Sequence, residues 1–332
     1  MTRYIIRRLI GVVVIMWLVS VITFTIFFMV PKALGSIPAV LFAGRTPSAE
    51  VLADVTKRLG LDQPLIVQYG KFAKGIVVGR DFNNGPSTAH CPAPCLGYSF
   101  KNNQPVWQLI VSDLPVTLSI AVGAAVLWLV FGVSIGVLSA LRKGSIFDRA
   151  AMGVALAGVS LPIYFTGLLA LSYVSYQWNI LPNVHYVGIT QNPIQWARNL
   201  LLVWICLSFL FAALYARLTR ASMLETMSED YVRTARAKGL PERTVIRRHA
   251  LRSSLTPIVT IFGLDLGALL GGAILTEVTF GFHGIGKLSL DAIGNQDLPI
   301  VLGVTLFAAF FIVMANLIVD LLYAVIDPRV TF

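Results

Sequence analysis

The sequence predicts an all-α integral membrane protein with six transmembrane helices. Of its 332 residues, 56% are hydrophobic and only 13% are charged, and the mean hydropathy of +0.77 lies outside the range of soluble globular proteins. A helix that crosses the hydrocarbon core of a bilayer needs about 20 apolar residues. Six runs meet this requirement: Leu9 to Val30, Val116 to Leu141, Ala150 to Trp178, Asn199 to Ala216, Leu255 to Thr276 and Pro299 to Ile326.

The distribution of Lys and Arg predicts that both termini are cytoplasmic. Basic residues concentrate before the first run and after the second, fourth and sixth, and the last of these is Arg329. The opposite short loops hold only Arg198 and Lys287, as expected for loops outside the cytoplasm. Segment 31–115 carries eight basic residues on the outer side, but the rule loses force in loops longer than about 60 residues. The net charge of +10 follows from this bias and from attraction to anionic lipid, so no nucleic-acid partner is expected.

The first apolar run predicts an uncleaved helix. Arginines precede it and Ala33-Leu34-Gly35 is similar to a cleavage site, but its 22 uncharged residues exceed the roughly 7 to 15 of a signal-peptide core. Residues 1–30 therefore form the cytoplasmic N-terminus and first helix. Residues 31–115 form an extracytoplasmic cap, with short helices expected from Ala49 to Phe72. Residues 116–332 form a five-helix core containing a cytoplasmic segment at 217–252.

The cysteines of the cap suggest a disulfide. Cys91 and Cys95 bracket a Pro-Ala-Pro sequence in a compartment expected to be oxidising. Free thiols, or a metal site that includes His90, are the alternatives, although two Cys and one His leave a tetrahedral metal one ligand short. Cys206 lies in the middle of a predicted span, where a small buried residue is the simplest interpretation.

The segment from Arg217 to Arg252 predicts a folded docking surface. It holds nine basic and four acidic residues and cannot lie inside a bilayer. Tyr231 to Lys238 contains no helix breaker, Gly239 suits a left-handed helix end, and Pro241 suits the first turn of a second helix. Two short helices joined at a glycine are expected, and a solvated positive loop is the alternative.

Two acidic residues lie inside predicted spans, where ionisable groups are costly. Asp265 lies in the fifth run, and Asp320 lies in the sixth, four residues after Asn316 on the same helix face. Each either contacts solute or forms a structural pair. The glycines at 263, 267, 271 and 272 either pack helices closely or leave room for a solute path.

The stretch Gly281 to Lys287 fits the first seven positions of a phosphate-binding loop. It fails at Leu288, where the loop requires a Ser or Thr hydroxyl, so nucleotide binding is not expected. Its glycines instead allow the chain to turn back, with Phe280, Phe282 and His283 forming a plug or a partner contact. We find no catalytic constellation, so a solute carrier of this kind must use an ion gradient or a separate motor.

Several landmarks resemble the transmembrane permease subunits of ABC importers for dipeptides, oligopeptides and nickel. They are distributed over nearly the whole chain. These landmarks are Leu59-Gly60-Leu61-Asp62-Gln63-Pro64 with Tyr69, Pro115-Val116-Thr117-Leu118, Asp148-Arg149, Ser160-Leu161-Pro162, Thr276-Glu277-Val278-Thr279-Phe280, Asn316-Leu317-Ile318-Val319-Asp320 and Tyr323-Ala324-Val325-Ile326-Asp327-Pro328-Arg329.

The resemblance implies a type I importer permease fold and assigns roles to two sets of residues. Gly239, Ala235 and Leu251 match the importer coupling pattern, whereas Arg233, Thr234, His249 and Arg252 depart from it as in the peptide branch. The implied ATPase-coupling residues are Tyr231, Val232, Arg233, Ala235, Lys238, Gly239, Leu240 and Leu251. The implied path or gate residues are Asp265, Glu277, Phe280, Phe282, His283, Asn316 and Asp320.

The resemblance also implies partners in the inner membrane. They are a second permease, two ATP-binding subunits or one fused ATPase, and an extracytoplasmic binding protein that delivers cargo to a mouth formed by the cap and residues 276–298. ATP and magnesium would bind the partner ATPases, so this chain would be neither an enzyme nor a metal or cofactor binder. Short peptides are the expected cargo. Nickel, glutathione or haem are alternatives, and an ion-coupled carrier or a membrane-embedded enzyme are rivals from other classes.

Overall fold

A computed structural model describes residues 2–33, 48–83, 88–182 and 184–326. Leu34 and Gly35 of the cleavage-like sequence, and Asp327, Pro328 and Arg329 of the last landmark, lie outside these residues. The described helices are α1 (Thr2–Ala33), α2 (Ala49–Leu59), α3 (Leu65–Val78), α4 (Val106–Leu141), α5 (Ile146–Ser160), α6 (Ile163–Gln177), α7 (Pro193–Ser228), α8 (Asp230–Ala237), α9 (Glu242–Ser254), α10 (Thr256–Leu270), α11 (Ile274–Phe280), α12 (Ile285–Gly294) and α13 (Leu298–Ile326).

The helical membrane prediction is confirmed, and its count depends on two bent pairs. Four helices, α1, α4, α7 and α13, are long and apolar enough to cross a membrane without interruption. The pairs α5–α6 and α9–α10 bend by 100° and 44°, and counting each pair as one span gives six.

The predicted third span from Ala150 to Trp178 is not one straight helix. It breaks between Ser160 and Ile163, where α5 and α6 meet at 100°. Pro162 causes the break, because the residue before a proline is driven out of the helical region. Leu161 accordingly has φ −93° and ψ 123°, an extended conformation. The length of an apolar run shows that a segment can cross the membrane, but it does not show whether the helix bends.

The second and fourth spans extend beyond their predicted bounds. Helix α4 begins at Val106, so the last residues assigned to the cap are already helical, and α7 covers Pro193–Ser228. The additional turns of α4 carry the polar residues Gln108, Ser112 and Asp113. These residues interrupt the apolar run used to predict the span, but they do not interrupt the helix. The fifth span is shorter than predicted, since α10 ends at Leu270 and the chain resumes a helix at Ile274.

Small residues let the long helices approach closely. A Cβ atom at Gly136 of α4 would lie 2.6 Å from the Ala216 carbonyl oxygen of α7, and one at Gly267 of α10 would lie 2.7 Å from Ala315 of α13. Membrane helices use such residues to bring backbones together. Gly263, Gly267 and Gly271 therefore pack against α13, and Gly272 packs against Gly286 of α12, which is the packing alternative of the two given for these glycines.

The cap contains the predicted short helices and two strand pairs that the sequence did not predict. Strand β1 (Arg80–Asn83) pairs antiparallel with β2 (Thr88–Cys91), and β3 (Tyr98–Ser99) pairs with β4 (Gln104–Pro105). Cys91 and Cys95 are joined by a disulfide, and both are buried. His90 contacts Asp81 of the neighbouring strand at 2.6 Å.

Candidate functional site: two glycine-joined hairpins

The first candidate site is the basic hairpin, which we define as α8 and α9, residues 230–254. Gly239 has φ +76°, and its N–H donates to the Arg236 carbonyl at 2.9 Å, which ends α8. Leu240 and Pro241 follow, and Pro241 lies immediately before α9. The helix-glycine-helix geometry expected from the sequence is present, because the left-handed turn depends only on local residues.

Two predicted coupling residues form the interior of the basic hairpin. Val232 and Val245 are fully buried, and Ala235 is 6% exposed, so these three side chains pack on one another between α8 and α9. Val232, one of the implied ATPase-coupling residues, therefore has no exposed side-chain surface to offer a partner. Its side chain holds the two helices together, and the exposed apolar surface belongs to Tyr231 and Leu240, which are 44% and 39% exposed.

The charges of the basic hairpin are divided between internal pairs and exposed positions. Arg236 donates two hydrogen bonds to Glu242 at 3.1 Å and 2.8 Å, which closes the hairpin across its turn. This contact raises the pKa of the Arg236 guanidinium above its ordinary value. Arg233 lies 3.5 Å from Asp230 with both side chains exposed. Further basic side chains are exposed on the same hairpin, namely Lys238, Arg243, Arg247 and Arg248.

The base of the basic hairpin is fastened to the helix bundle. Ala250 of α9 packs with Met223 of α7 and Ala140 of α4, and Leu251 contacts this cluster. The Ser222 hydroxyl donates to the Ser254 carbonyl at 3.1 Å. The predicted residue Leu251 therefore anchors the hairpin instead of facing outward. The base of the hairpin thus contacts α7 and continues, through a 44° bend, into α10.

The second candidate site is the carboxylate hairpin, which we define as α11 and α12, residues 274–294. Glu277 is fully buried and accepts hydrogen bonds from the Thr117 hydroxyl at 2.8 Å, the Lys287 N–H at 2.8 Å and the Ala273 N–H at 3.3 Å. Gly281, with φ +71°, turns the chain between the helices. The carboxylate thus joins α11, α12 and α4 at one point.

Burial changes the interpretation of the predicted gate residues on this hairpin. Phe280 and Phe282 are 6% and 3% exposed and belong to the main hydrophobic core, so neither forms an exposed plug or partner contact. Glu277 is likewise enclosed and does not line a path in this conformation. Among the gate residues predicted on this hairpin, His283 is the exposed one.

In the segment that resembles a phosphate-binding loop, backbone N–H groups donate to side chains of the protein itself. The Ile285 N–H donates to Thr117 Oγ1 at 2.9 Å, and the Lys287 N–H donates to Glu277. A Cβ at Gly284 would lie 2.5 Å from the Glu277 carboxyl carbon. The carboxylate occupies the position near a helix N-terminus that a phosphate would otherwise take.

Both aspartates of the spans have partners. Tyr215 Oη donates to Asp265 at 2.8 Å, and Arg8 of α1 lies 2.5 Å from Asp320 of α13. These contacts are the structural pairing given as one of the two alternatives for each aspartate. Asn316 lies beside a space between α1 and α13.

A charge pair near the basic hairpin was not predicted from the sequence. Arg220 of α7 donates to both carboxylate oxygens of Asp148, at 2.6 Å and 2.8 Å, and the Gly144 N–H and Ser139 hydroxyl donate to the same carboxylate. Asp148 stood in a landmark of the resemblance, but a single sequence does not indicate which of many arginines is its partner.

Comparisons with known proteins agree with this architecture. The family model described as "Binding-protein-dependent transport system inner membrane component" matches residues 132–332, and the corresponding N-terminal model matches residues 1–121. The dipeptide transport system permease protein DppB of Escherichia coli K12 is 37% identical, with 99% of each chain covered. A putative peptide transport system permease protein of Brucella abortus strain 2308 is 36% identical over the whole of both chains.

A solved structure shows the same fold. The inward-facing MetNI methionine ABC transporter matches with a TM-score of 0.52 and 17% identity, covering 67% of this chain and 97% of that chain. From the family match over more than half of its length, the chain is a member of the inner membrane component family of binding-protein-dependent transport systems.

Proposed function

We propose that this chain is the permease subunit of an ATP-driven importer that takes up dipeptides or short oligopeptides across the cytoplasmic membrane. The observation that carries the proposal is the 37% identity to a dipeptide permease over 99% of both chains. Such similarity spans the cap, the bundle and both hairpins. Both termini lie in the cytoplasm, as the distribution of basic residues indicates.

The basic hairpin transmits the work of partner ATPases. Its tip presents Tyr231 and Leu240 among basic side chains, and its interior is held by Val232 and Val245. A partner that grips this tip moves a preformed unit, because the Arg236–Glu242 contact closes the turn. The motion passes through the anchored base of α9 into α7 and α10 and alternates access between the two sides of the membrane.

The proposed function requires three kinds of partner. Two ATP-binding subunits, separate or fused, carry ATP and magnesium, a second permease completes the path, and an extracytoplasmic binding protein delivers the peptide to the cap and the carboxylate hairpin. The pairing of Asp265 with Tyr215 and of Asp320 with Arg8 favours this motor-driven mechanism over an ion-coupled carrier. An ion-coupled carrier would use these carboxylates to bind the coupling ion, whereas here each already has a protein partner.

Replacement of Gly239 with Val tests the proposal in the assembled transporter. The left-handed backbone at φ +76° disfavours a β-branched residue by about 1–3 kcal/mol, so the turn is expected to distort. Labelled dipeptide uptake should fall strongly, while ATP hydrolysis persists or the ATPases fail to co-purify. Uptake that continues after deletion of the ATPase subunits would contradict the function itself.

Gly144→Val is the matched control. Gly144 also has positive φ, +82°, and a Cβ added at either glycine would meet no atom within 4 Å. It lies in the turn between α4 and α5, so the substitution imposes a similar backbone cost at another site. Equal loss of uptake in both variants would show that strain alone, and not the basic hairpin, limits transport.

A further inference from the structure

A groove between α1 and α13 is not used by the proposed transport mechanism. Its volume is about 780 Å³, within the range of roughly 300–1,000 Å³ typical of small-molecule sites. On α1 it is lined by residues spaced four apart, Gly11, Ile15 and Val19, and on α13 by Ile312 and its neighbours. The groove is open along one side, since Ile15 and Ile312 are 47% and 37% exposed.

The groove is polar at one end and apolar along the rest. Arg7, Arg8, Asn316 and Asp320 form the polar end. Two arginines and one aspartate give this end a net charge of +1 among the described lining residues. Asp320 lies 2.5 Å from Arg8, which fixes that guanidinium at the groove mouth and leaves the charge excess on the neighbouring Arg7.

We propose that this groove binds one anionic phospholipid. The phosphate contacts the guanidinium of Arg7 beside the Arg8–Asp320 pair, and an acyl chain lies along Gly11, Ile15 and Val19. Arginine suits this role, because its planar fork matches phosphate oxygens. Basic pockets between membrane helices are a recurrent form of lipid headgroup site.

The position of Asn316 agrees with a lipid more closely than with a free anion. It lies one helical turn from Asp320, about 6 Å along the axis, where the polar end of the groove meets the apolar wall. A polar side chain at membrane depth requires a polar partner. The ester carbonyls of a phospholipid lie deeper in the membrane than its phosphate, and the Asn316 amide can donate to them. Inorganic phosphate would leave this amide and the apolar wall without a partner.

A bound lipid would support the half of α1 that precedes its contacts with the cap. Most of α1 faces outward, with Ile10, Val13 and Trp17 more than half exposed. Its described contacts include the Arg8–Asp320 pair with α13 at one end. Towards the other end, the Ser20 hydroxyl meets the Tyr69 hydroxyl at 2.8 Å, and the buried Phe24 packs against Tyr69 and Phe72 of the cap. The lipid fills the space between α1 and α13 and so braces the first helix against the bundle.

Native mass spectrometry of the assembled transporter tests the proposal, with phosphatidylglycerol, phosphatidylcholine and inorganic phosphate added separately as probes. We expect one retained phosphatidylglycerol, and a loss of its occupancy by roughly tenfold in Arg7→Gln, the size expected from one charge-assisted contact. Arg142→Gln, an exposed arginine at the end of α4, is the control and should retain the lipid.

A second pair of variants tests the apolar part without changing charge. A Cβ at Gly11 meets no atom within 4 Å, so Gly11→Phe brings a bulky side chain to the groove and should also exclude the lipid. Gly153 on α5 has equally open surroundings, and Gly153→Phe should leave occupancy unchanged. Correct assembly of both variants is checked by co-purification of the partner subunits.

Four outcomes would overturn the proposal. Equal lipid occupancy in Arg7→Gln, Gly11→Phe and the controls would place the lipid elsewhere. Equal retention of phosphatidylcholine would show that the arginines do not select an anionic headgroup, and binding of inorganic phosphate alone would remove the role of the apolar wall. A photo-crosslink from Ile15 to the second permease would show that a protein helix covers the groove.

Discussion

The basic hairpin and the carboxylate hairpin each place a glycine of positive φ between two helices, Gly239 at +76° and Gly281 at +71°. They differ in what lies between the helices. The basic hairpin has an interior of three small apolar side chains and keeps its charges outside. The carboxylate hairpin encloses Glu277, which accepts three hydrogen bonds, and contributes Phe280 and Phe282 to the main core.

Because their interiors differ, the two hairpins suit different tasks although their turns are similar. A hairpin with a small interior and an exposed, charged tip can move as a unit when a partner holds it. A hairpin that a buried carboxylate fastens to α4 is a fixed part of the bundle. Each buried donor around that carboxylate would lose its acceptor if the hairpin moved away. Substitutions in and around the two hairpins should therefore differ in their effects on stability.

Glu277→Ala should produce the largest loss of stability. It leaves the Thr117 hydroxyl and two backbone N–H groups buried without their acceptor, at about 1–3 kcal/mol for each unsatisfied group, and we expect a total on the order of 3 kcal/mol. Thermal unfolding of the purified transporter measures this change. Glu277→Gln should fall between the wild type and Ala, because its amide oxygen still accepts while its nitrogen does not.

Glu225→Ala is the control for this prediction. Glu225 is exposed on α7, near the base of the basic hairpin, so its loss should leave the unfolding temperature almost unchanged. A Glu277→Ala protein that unfolds at the same temperature as Glu225→Ala would remove the distinction between the two hairpins.

Asp148→Ala and Asp230→Ala compare a buried and an exposed charge pair. Each aspartate lies in the first turn of a helix and faces an arginine, but the Asp148 side chain is 4% exposed and that of Asp230 is 97% exposed. Breaking the buried pair strands Arg220, whereas exposed pairs contribute little. We expect a clear drop in unfolding temperature for Asp148→Ala only. Similar shifts in both variants would contradict this.

The disulfide of the cap should contribute only a small stabilisation. Cys91 and Cys95 are four residues apart, and short loops gain least from a crosslink. Alkylation of the denatured, unreduced protein, followed by intact mass analysis, should modify only Cys206. Reduction first should raise this number to all three cysteines of the chain. Three modified thiols without reductant would refute the bond.

The features that depend on local residues were predictable from the sequence. The turn at Gly239 and the short helices of the cap follow from neighbouring residues, and the membrane class follows from composition. Pro162 was visible as a breaker, yet the apolar run across it suggested one straight span. Hydropathy therefore predicts which residues lie in the membrane, whereas proline determines where the helix bends.

The features that depend on distant residues were not predictable from one sequence. Glu277 meets Thr117, 160 positions earlier, and Asp148 meets Arg220, 72 positions later. Nothing in either neighbourhood distinguishes the true partner from other candidates. The burial of Val232 was not predictable for the same reason, since it depends on Val245 across the turn.

Photo-crosslinking in the assembled transporter tests most directly the claim that the basic hairpin, and not the carboxylate hairpin, receives the ATPase. A photoreactive residue is placed at Leu240 on the basic hairpin or at His283 on the carboxylate hairpin, both exposed. We predict a crosslink to an ATP-binding subunit from Leu240 and none from His283. A crosslink to that subunit from His283, or its absence from Leu240 in a transport-competent complex, would contradict the account.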